Sequence, residues 1–393
     1  MTLPSPTTAA DRDAAGLGDP RQLVRAVLAQ HAPAERIREF DEAERFDHEL
    51  FRELAHTGLL AGALGPAGRL DHAYQTAVLE ELAAGPTSMA VAFVVQYMAI
   101  QLLSVHGTAD QQEAFLAPLL AGDVHASFAL SEPDGGTDVA RAMKTTAIRL
   151  PDGSYSISGR KRWIGGAMDC GYLLLLARTT EAGASAIGGI TTFIVPRSTP
   201  GIETREIDTM GIRSLAQTDI SLDDVRVPAA NVLGEPDRGF RQVLGTLNGE
   251  RLNAAAVALG IARGAFAVAM DWAQKREAFG RPVGAFQALQ HSLVDARLKI
   301  ESAALLLERA VRATDAGTED ADVDSALAKL AASEAGTFTT DAGMRVMGGW
   351  GYARELPMQR YFRDARLYTF APLTDEMTRN YLGEKMLGLP RSY

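Results

Sequence analysis

The residues of this 393-residue chain with the clearest chemical potential lie in short ordered segments, not in a metal cluster. Ser131-Glu132-Pro133-Asp134-Gly135-Gly136-Thr137-Asp138 reads as a tight turn that glycine permits. Its backbone N–H groups and hydroxyls can come close to a polar ring edge or a phosphate. Gly348-Gly349-Trp350-Gly351 offers exposed amides too, but it neither matches GxGxxG nor follows a strand, so a dinucleotide fingerprint is excluded. There is no HExxH and the seven histidines are scattered, which leaves no metal site in view. The single cysteine, Cys170, rules out an intramolecular disulfide and a cysteine-based metal cluster.

Composition narrows the partners. A formal net charge of −10 argues against nucleic acid or an anionic membrane as the main partner, because both require a positive field. With 47% hydrophobic and 22% charged residues the chain can bury a large core. The start, Met1-Thr-Leu-Pro-Ser-Pro-Thr-Thr, has neither the cationic beginning nor the apolar run of a signal peptide, so a cytoplasmic location is expected. The most apolar stretch, Met89 to Leu103, is interrupted by Gln96 and Gln101 and reads as a buried helix too short to span a bilayer.

Three kinds of patterning must position these segments. After a disordered start over 1–20, residues 21–122 carry apolar side chains at helical spacing, among them Val24, Val27, Phe51, Leu54, Leu79 and Leu82. Over 123–233 the period shifts to short β-favouring runs: Thr145 to Leu150, Ser154 to Ser158, Leu173 to Ala177, Ile190 to Val195 and Thr218 to Leu222. Strands without helices between them predict an antiparallel sheet or small barrel. Helical spacing returns over 234–393, in long runs from Gly239 to Ala278, Phe286 to Thr314 and Asp322 to Met347. The fold class is therefore α+β multidomain: an amino-terminal α domain, a middle β-barrel domain and a carboxyl-terminal four-helix bundle.

The turn at Ser131–Asp138 resembles the Thr/Ser-Glu-Pro-x-Ala/Gly-Gly-Ser/Thr-Asp segment of acyl-CoA dehydrogenases. Further resemblances follow in family order. They are Lys161-Arg162-Trp163-Ile164-Gly165-Gly166, Met210-Gly211-Ile212-Arg213-Ser214, Asp224-Val225-Arg226-Val227-Pro228 and Asn231 to Gly234. Arg276-Glu277-Ala278-Phe279-Gly280-Arg281-Pro282 with Phe286-Gln287, Val346 to Tyr352 and Phe362-Arg363-Asp364-Ala365 complete the set. The resemblance implies that Phe128, Leu130, Ser131, Gly136 and Thr137, with Trp163 and Gly165, hold the isoalloxazine and ribityl of FAD. It implies that Arg276, Phe279 and Gln287, with Arg345, Gly348 and Gly349, reach the FAD of a neighbouring subunit. An arginine fork and glycine-exposed amides suit its diphosphate, and aromatic faces suit its rings.

The sequence departs from the family where the usual catalytic base stands. Aligned without gaps from Arg363-Asp364-Ala365, the family's glutamate falls on Pro372, which can neither take a proton nor supply a backbone N–H. One subgroup, including the isovaleryl and long-chain enzymes, carries its base on the first long helix of the carboxyl-terminal domain, directly before an arginine. That position reads Asn248-Gly249-Glu250-Arg251-Leu252, so Glu250 beside Arg251 is the candidate base. Gly165 and Gly166 replace Thr/Ser and Asn, and Arg345 replaces Gln. Thr374 and Glu376 match positions that contact the cofactor, and Gln96, Tyr97 and Gln101 lie on the helix that lines the acyl pocket in relatives.

The resemblance thus implies FAD-dependent α,β-dehydrogenation of an acyl thioester on coenzyme A or an acyl carrier protein. An electron-transfer flavoprotein or another acceptor would take the electrons, and the assembly would be a dimer of dimers. Two rivals remain: a flavin monooxygenase or α-deprotonating lyase of the same fold, motivated by Pro372, and a non-catalytic scaffold.

Overall fold

Short polar caps begin several of the amino-terminal helices and apolar stripes bury them. Asp19 accepts a hydrogen bond from the Arg21 N–H at the start of α1 (Pro20–His31). Asp47 accepts from Leu50 N–H at α3 (His48–His56), which follows α2 (Ala34–Ala43). Asp71 accepts from Tyr74 N–H at α4 (His72–Ala83), and α5 (Thr87–His106) follows. The structure, a computed structural model, describes residues 19–65, 70–181, 183 and 185–392. The expected disordered start lies outside the described residues except for Asp19 and Pro20, which already open α1.

Helix α5 is longer than the apolar run read from sequence. At 20 residues it is long and apolar enough to cross a membrane, so brevity was the wrong reason to set that aside. Two-thirds (67%) of an 18-residue apolar window of it is instead buried inside the protein, where Gln96 exchanges hydrogen bonds with Ala126 and Tyr97 donates to the Leu59 carbonyl.

The middle region is one eight-stranded sheet among the described residues. Its strands are β1 (Ala126–Ala129), β2 (Thr146–Arg149), β3 (Tyr155–Gly165), β4 (Tyr172–Arg178), β5 (Ile190–Pro196), β6 (Ile202–Ile207), β7 (Gln217–Val227) and β8 (Val232–Leu233). The order is β6-β7-β3-β2-β4-β5-β8, with β1 on β4. Pairing is antiparallel except that β1 and β2 run parallel to β4, a departure from the purely antiparallel expectation. β1 enters from the helical region instead of through a hairpin, so no tight turn dictates its direction. β6 escaped the sequence reading because its Glu203, Arg205 and Glu206 leave it largely solvated at the sheet edge.

The carboxyl-terminal region contains α6 (Gly239–Leu244), α7 (Leu247–Lys275), α8 (Gln287–Ala316), α9 (Ala321–Met347), α10 (Met358–Ala365) and α11 (Asp375–Lys385). Leu293, Ala296, Ile300, Ala303, Leu307 and Ala310 recur every three or four residues and bury one stripe of α8. Helices α7 and α9 are buried over more than half of their residues: α7 packs on α8, α9 and the amino-terminal α4. A Cβ at Gly260 would sit 2.3 Å from the Glu80 carbonyl oxygen, so glycine lets α4 and α7 meet at the backbone. One apolar core consequently runs through both helical regions, while a second lies within the sheet around Ile157, Leu173, Phe193 and Ile220.

Candidate active site

The turn at Ser131 is held from beneath by a buried ion pair. Lys161, 0% exposed on β3, donates to the Leu130 carbonyl at 3.0 Å and to Glu132 Oε1 at 2.9 Å. Glu132 also accepts from the backbone N–H groups of Lys144 and Thr145. A buried ammonium is tolerated only when its charge and its protons are satisfied, and burial still lowers the Lys161 pKa to about 8. The Ser131 hydroxyl donates to the Arg162 carbonyl at 2.7 Å, and Arg162 N–H returns a bond to the Ser131 carbonyl. The turn is therefore tied to β3 on both sides. Phe128 and Leu130 are half-buried beside it, whereas Gly136 and Thr137 stand exposed at its tip. Trp163 projects from β3 with 52% of its surface open, and Gly165 ends the same strand.

Glu250 lies in the first turn of α7, partly buried, with no hydrogen bond to its carboxylate among the described residues. Burial raises its pKa to about 7, opposed by the neighbouring Arg251 charge. Arg251 is held elsewhere: its guanidinium lies 5.1 Å from the centre of the Tyr381 ring. The preceding Gly249 makes room for a packed polar group. A Cβ there would be 3.0 Å from His72 Nε2 and 3.8 Å from Gln101 Oε1, and His72 Nδ1 sits 2.6 Å from Asp315 Oδ1.

The segment around Pro372 is at this same end of α7, because Tyr381 of α11 stacks on Arg251. Thr374 caps α11, its hydroxyl accepting from Met377 N–H, and Glu376 is exposed in the first turn. Lys329, 2% exposed on α9, donates to the Leu373 carbonyl and to Asp375 Oδ1, each at 2.8 Å, and Ser333 donates to Asp375 Oδ2. This clamp, like the Lys161 pair, was missed in the sequence reading. An isolated lysine inside an otherwise apolar helical stretch was the available signal.

The remaining sequence candidates gather at the opposite end of α7. Arg276 follows its last residue, Phe279 is 94% exposed, and Gln287 opens α8. The Trp272 and Trp350 rings, 5.9 Å apart, bring Arg345, Gly348 and Gly349 to the same end. Arg345 pairs with Asp341 one turn earlier at 2.9 Å, and nothing lies within 4 Å of where a Cβ at Gly348 or Gly349 would be. From Glu250 to Arg276 is 26 residues of helix, roughly 39 Å at 1.5 Å per residue. The sequence candidates thus fall into two groups, at opposite ends of α7.

Domain models described as the acyl-CoA dehydrogenase N-terminal, middle and C-terminal domains match residues 19–123, 127–225 and 237–387. The short-chain specific acyl-CoA dehydrogenase, mitochondrial, of Bos taurus is 36% identical over 358 residues, which span 90% of this chain and 85% of that protein. The chain belongs to the acyl-CoA dehydrogenase family. Among solved structures, butyryl-CoA dehydrogenase from Megasphaera elsdenii is 31% identical, with 94% of this chain and 98% of that one covered at a TM-score of 0.87. The prolyl acyl carrier protein oxidase AnaB is 27% identical, with 95% and 99% covered at 0.85. An acyl-CoA dehydrogenase of this kind is a flavoprotein oxidoreductase acting on CH–CH groups. The residues present fit a flavin: an open indole beside a glycine turn offers a ring face and free amides, and Gly136 has nothing within 4 Å of a Cβ position.

Proposed function

We propose that the protein is an FAD-dependent dehydrogenase of an acyl thioester, with Glu250 as the base that removes the α-proton. The observation that carries this reading is a partly buried carboxylate, free of hydrogen bonds among the described residues, at the end of α7 where Arg251 meets Tyr381 of α11. A pKa near 7 leaves a useful fraction ionised at neutral pH and makes the group a stronger proton acceptor than an ordinary carboxylate. FAD, when bound, supplies the acceptor for the β-hydride. Phe128, Leu130, Ser131, Gly136, Thr137, Trp163 and Gly165 would hold its ring system. Thr374 and Glu376 are assigned to the cofactor's edge, and Arg251, drawn onto Tyr381, stays beside Glu250 without neutralising it directly.

The second group supports a homo-oligomer, as a dimer of dimers. Arg276, Phe279, Gln287, Arg345, Gly348 and Gly349 are too far along α7 from Glu250 of the same chain to share one cofactor's reactive end with it. They suit the diphosphate and adenosine of a neighbour's FAD. Val294, Leu298 and Leu305 also leave an apolar stripe exposed on α8, a face that a second copy would cover.

For the substrate, an acyl group on coenzyme A or on an acyl carrier protein fits. The likeness to a prolyl acyl carrier protein oxidase favours testing both carriers, and an electron-transfer flavoprotein or molecular oxygen as acceptor. Anaerobic mixing of the yellow protein with candidate thioesters should bleach the flavin and give a product lighter by two hydrogens. A product heavier by one oxygen under air would instead assign the monooxygenase chemistry, and one lacking a β-substituent together with the α-proton, formed while the flavin stays oxidised, the lyase chemistry. A protein that cannot hold flavin would assign the scaffold.

A further inference from the structure

Trp163 owes its orientation to a local fault in the sheet. Lys161 pairs with Ile220 and Ile164 with Thr218, so Arg162 and Trp163 together oppose the single residue Asp219. A bulge of this kind bends the strand and redirects a side chain. Here it places Trp163 at φ +66°, a left-handed conformation that a bulky aromatic residue does not adopt unaided.

The bulge also supplies what holds the ring. The Arg162 guanidinium lies 4.5 Å from the centre of the Trp163 ring. Its Nη1 is within 2.8 Å of Asp219 Oδ1 and 2.7 Å of Oδ2, and Asp219 is only 5% exposed. Arg205 on β6 donates to the same carboxylate at 2.8 Å. The cation is thus anchored at one side on a buried acid and stacked at the other on an indole. An exposed arginine without that anchor would hold a fixed stack poorly, because its rotamer freedom opposes it.

We propose that Arg162, anchored by Asp219, is a positioning residue that fixes the tilt of the Trp163 indole by covering one face, so that the ring is preset for the cofactor. The assignment rests on the proposed function, which puts a flavin beside Trp163. Arg162 does not itself take part in proton or hydride transfer. Its effect passes through the ring.

A double-mutant cycle tests this. Arg162→Met, Trp163→Phe and the pair are compared for two readings: near-ultraviolet circular dichroism of the flavin-free protein, and the FAD dissociation constant. Arg162→Met should lose the part of the indole signal that Trp163→Phe also loses, and should weaken FAD by about threefold to tenfold, as expected for losing one cation–π contact. In the Trp163→Phe background the same change should cost little more, since the ring it acts through is gone. Asp219→Asn should reproduce the loss of signal with the cation still present. If Arg162→Met fails to fold, judged by far-ultraviolet circular dichroism, Arg162→Lys carries the test, because it keeps the charge without the planar face. An unchanged indole signal, or losses in FAD affinity that simply add, overturns the proposal. If the wild-type protein binds no FAD, the proposed function fails, while the dichroism of the flavin-free protein still decides the role of Arg162.

Discussion

The two ends of α7 are built to opposite plans. At the Glu250 end polar groups find partners inside the chain: Lys329 with Asp375 and Leu373, Arg251 with Tyr381, Asn248 with Asp322 at 2.6 Å, His72 with Asp315. Glu250 stands out there as a partly buried acid whose carboxylate receives no hydrogen bond from a described residue. At the Arg276 end Phe279 is almost wholly exposed, and the two glycines have open space around them. Polar groups at the first end are paired within this chain, whereas the second leaves an aromatic ring and a pair of glycines open. The contrast teaches where chemistry and where assembly should be sought on one helix.

The largest expected effect is at the Glu250 end. Glu250→Gln keeps size and polarity, so fold, colour and thioester binding should persist while anaerobic flavin bleaching slows by about 10²–10⁴-fold. Glu376→Gln, at the exposed neighbouring position, should loosen the cofactor more than it slows bleaching. Stopped-flow traces on both variants decide which carboxylate matters. Undiminished bleaching in Glu250→Gln would remove the base from α7 altogether.

Next is the clamp that closes this end. Lys329→Met strands the buried Asp375 carboxylate, and breaking a buried pair from one side costs about 3–5 kcal/mol. Denaturant unfolding should show that loss equally in dilute and concentrated protein, because the interaction is internal. A loss that vanished at high concentration would place the clamp in the interface and blur the contrast between the ends.

A smaller effect, with the opposite signature, is expected at the open end. Arg276→Ala should weaken FAD retention by about 1.5–3 kcal/mol, the range for a hydrogen bond to a charged group, and Phe279→Ser should weaken assembly. Both losses should depend on protein concentration, measured by sedimentation and by flavin release. A monomer that holds FAD at full affinity would contradict the two-chain site.

Much of this contrast was legible in the sequence, and what was not has physical reasons. Helices α7, α8 and α9 announced themselves through long apolar periods. The turn at Ser131 did so through glycine and hydroxyl spacing. Strand β6 was hidden because a charged edge strand looks like a loop, and the bulge at Arg162–Trp163 because one extra residue leaves the alternation readable on either side. The Lys161–Glu132 and Lys329–Asp375 pairs join residues 29 and 46 positions apart, a proximity that only the folded chain creates. That Glu250 and the Pro372 segment share one end of α7 is likewise a property of packing, carried by Arg251 against Tyr381.

The finest test of the contrast is the pH dependence that Glu250 itself contributes. The carboxyl has an ordinary value of 4.5 and is raised to about 7 in the folded chain by burial. Between those values the folded state keeps a proton that the unfolded state has released. Stability from this group is therefore full below the unfolded value and falls as pH rises toward 7, by about 1–3 kcal/mol after allowance for the group's partial exposure. Activity should move the other way, because only the ionised form accepts a proton: kcat/KM should climb as pH passes about 7 and then level. Glu250→Gln should reduce the stability slope and make the variant more robust than the wild type at pH 8, though nearly inactive. Arg276→Ala should leave that slope intact, since it alters the other end. Unfolding curves from pH 4.5 to 8.5 on the three proteins provide the comparison. Asp364, buried and with its pKa raised to about 6, adds a slope of the same sign in all three proteins, so the decisive quantity is the difference between wild type and Glu250→Gln: identical slopes in the two would cost the carboxylate at the head of α7 its claim to a pKa near neutrality.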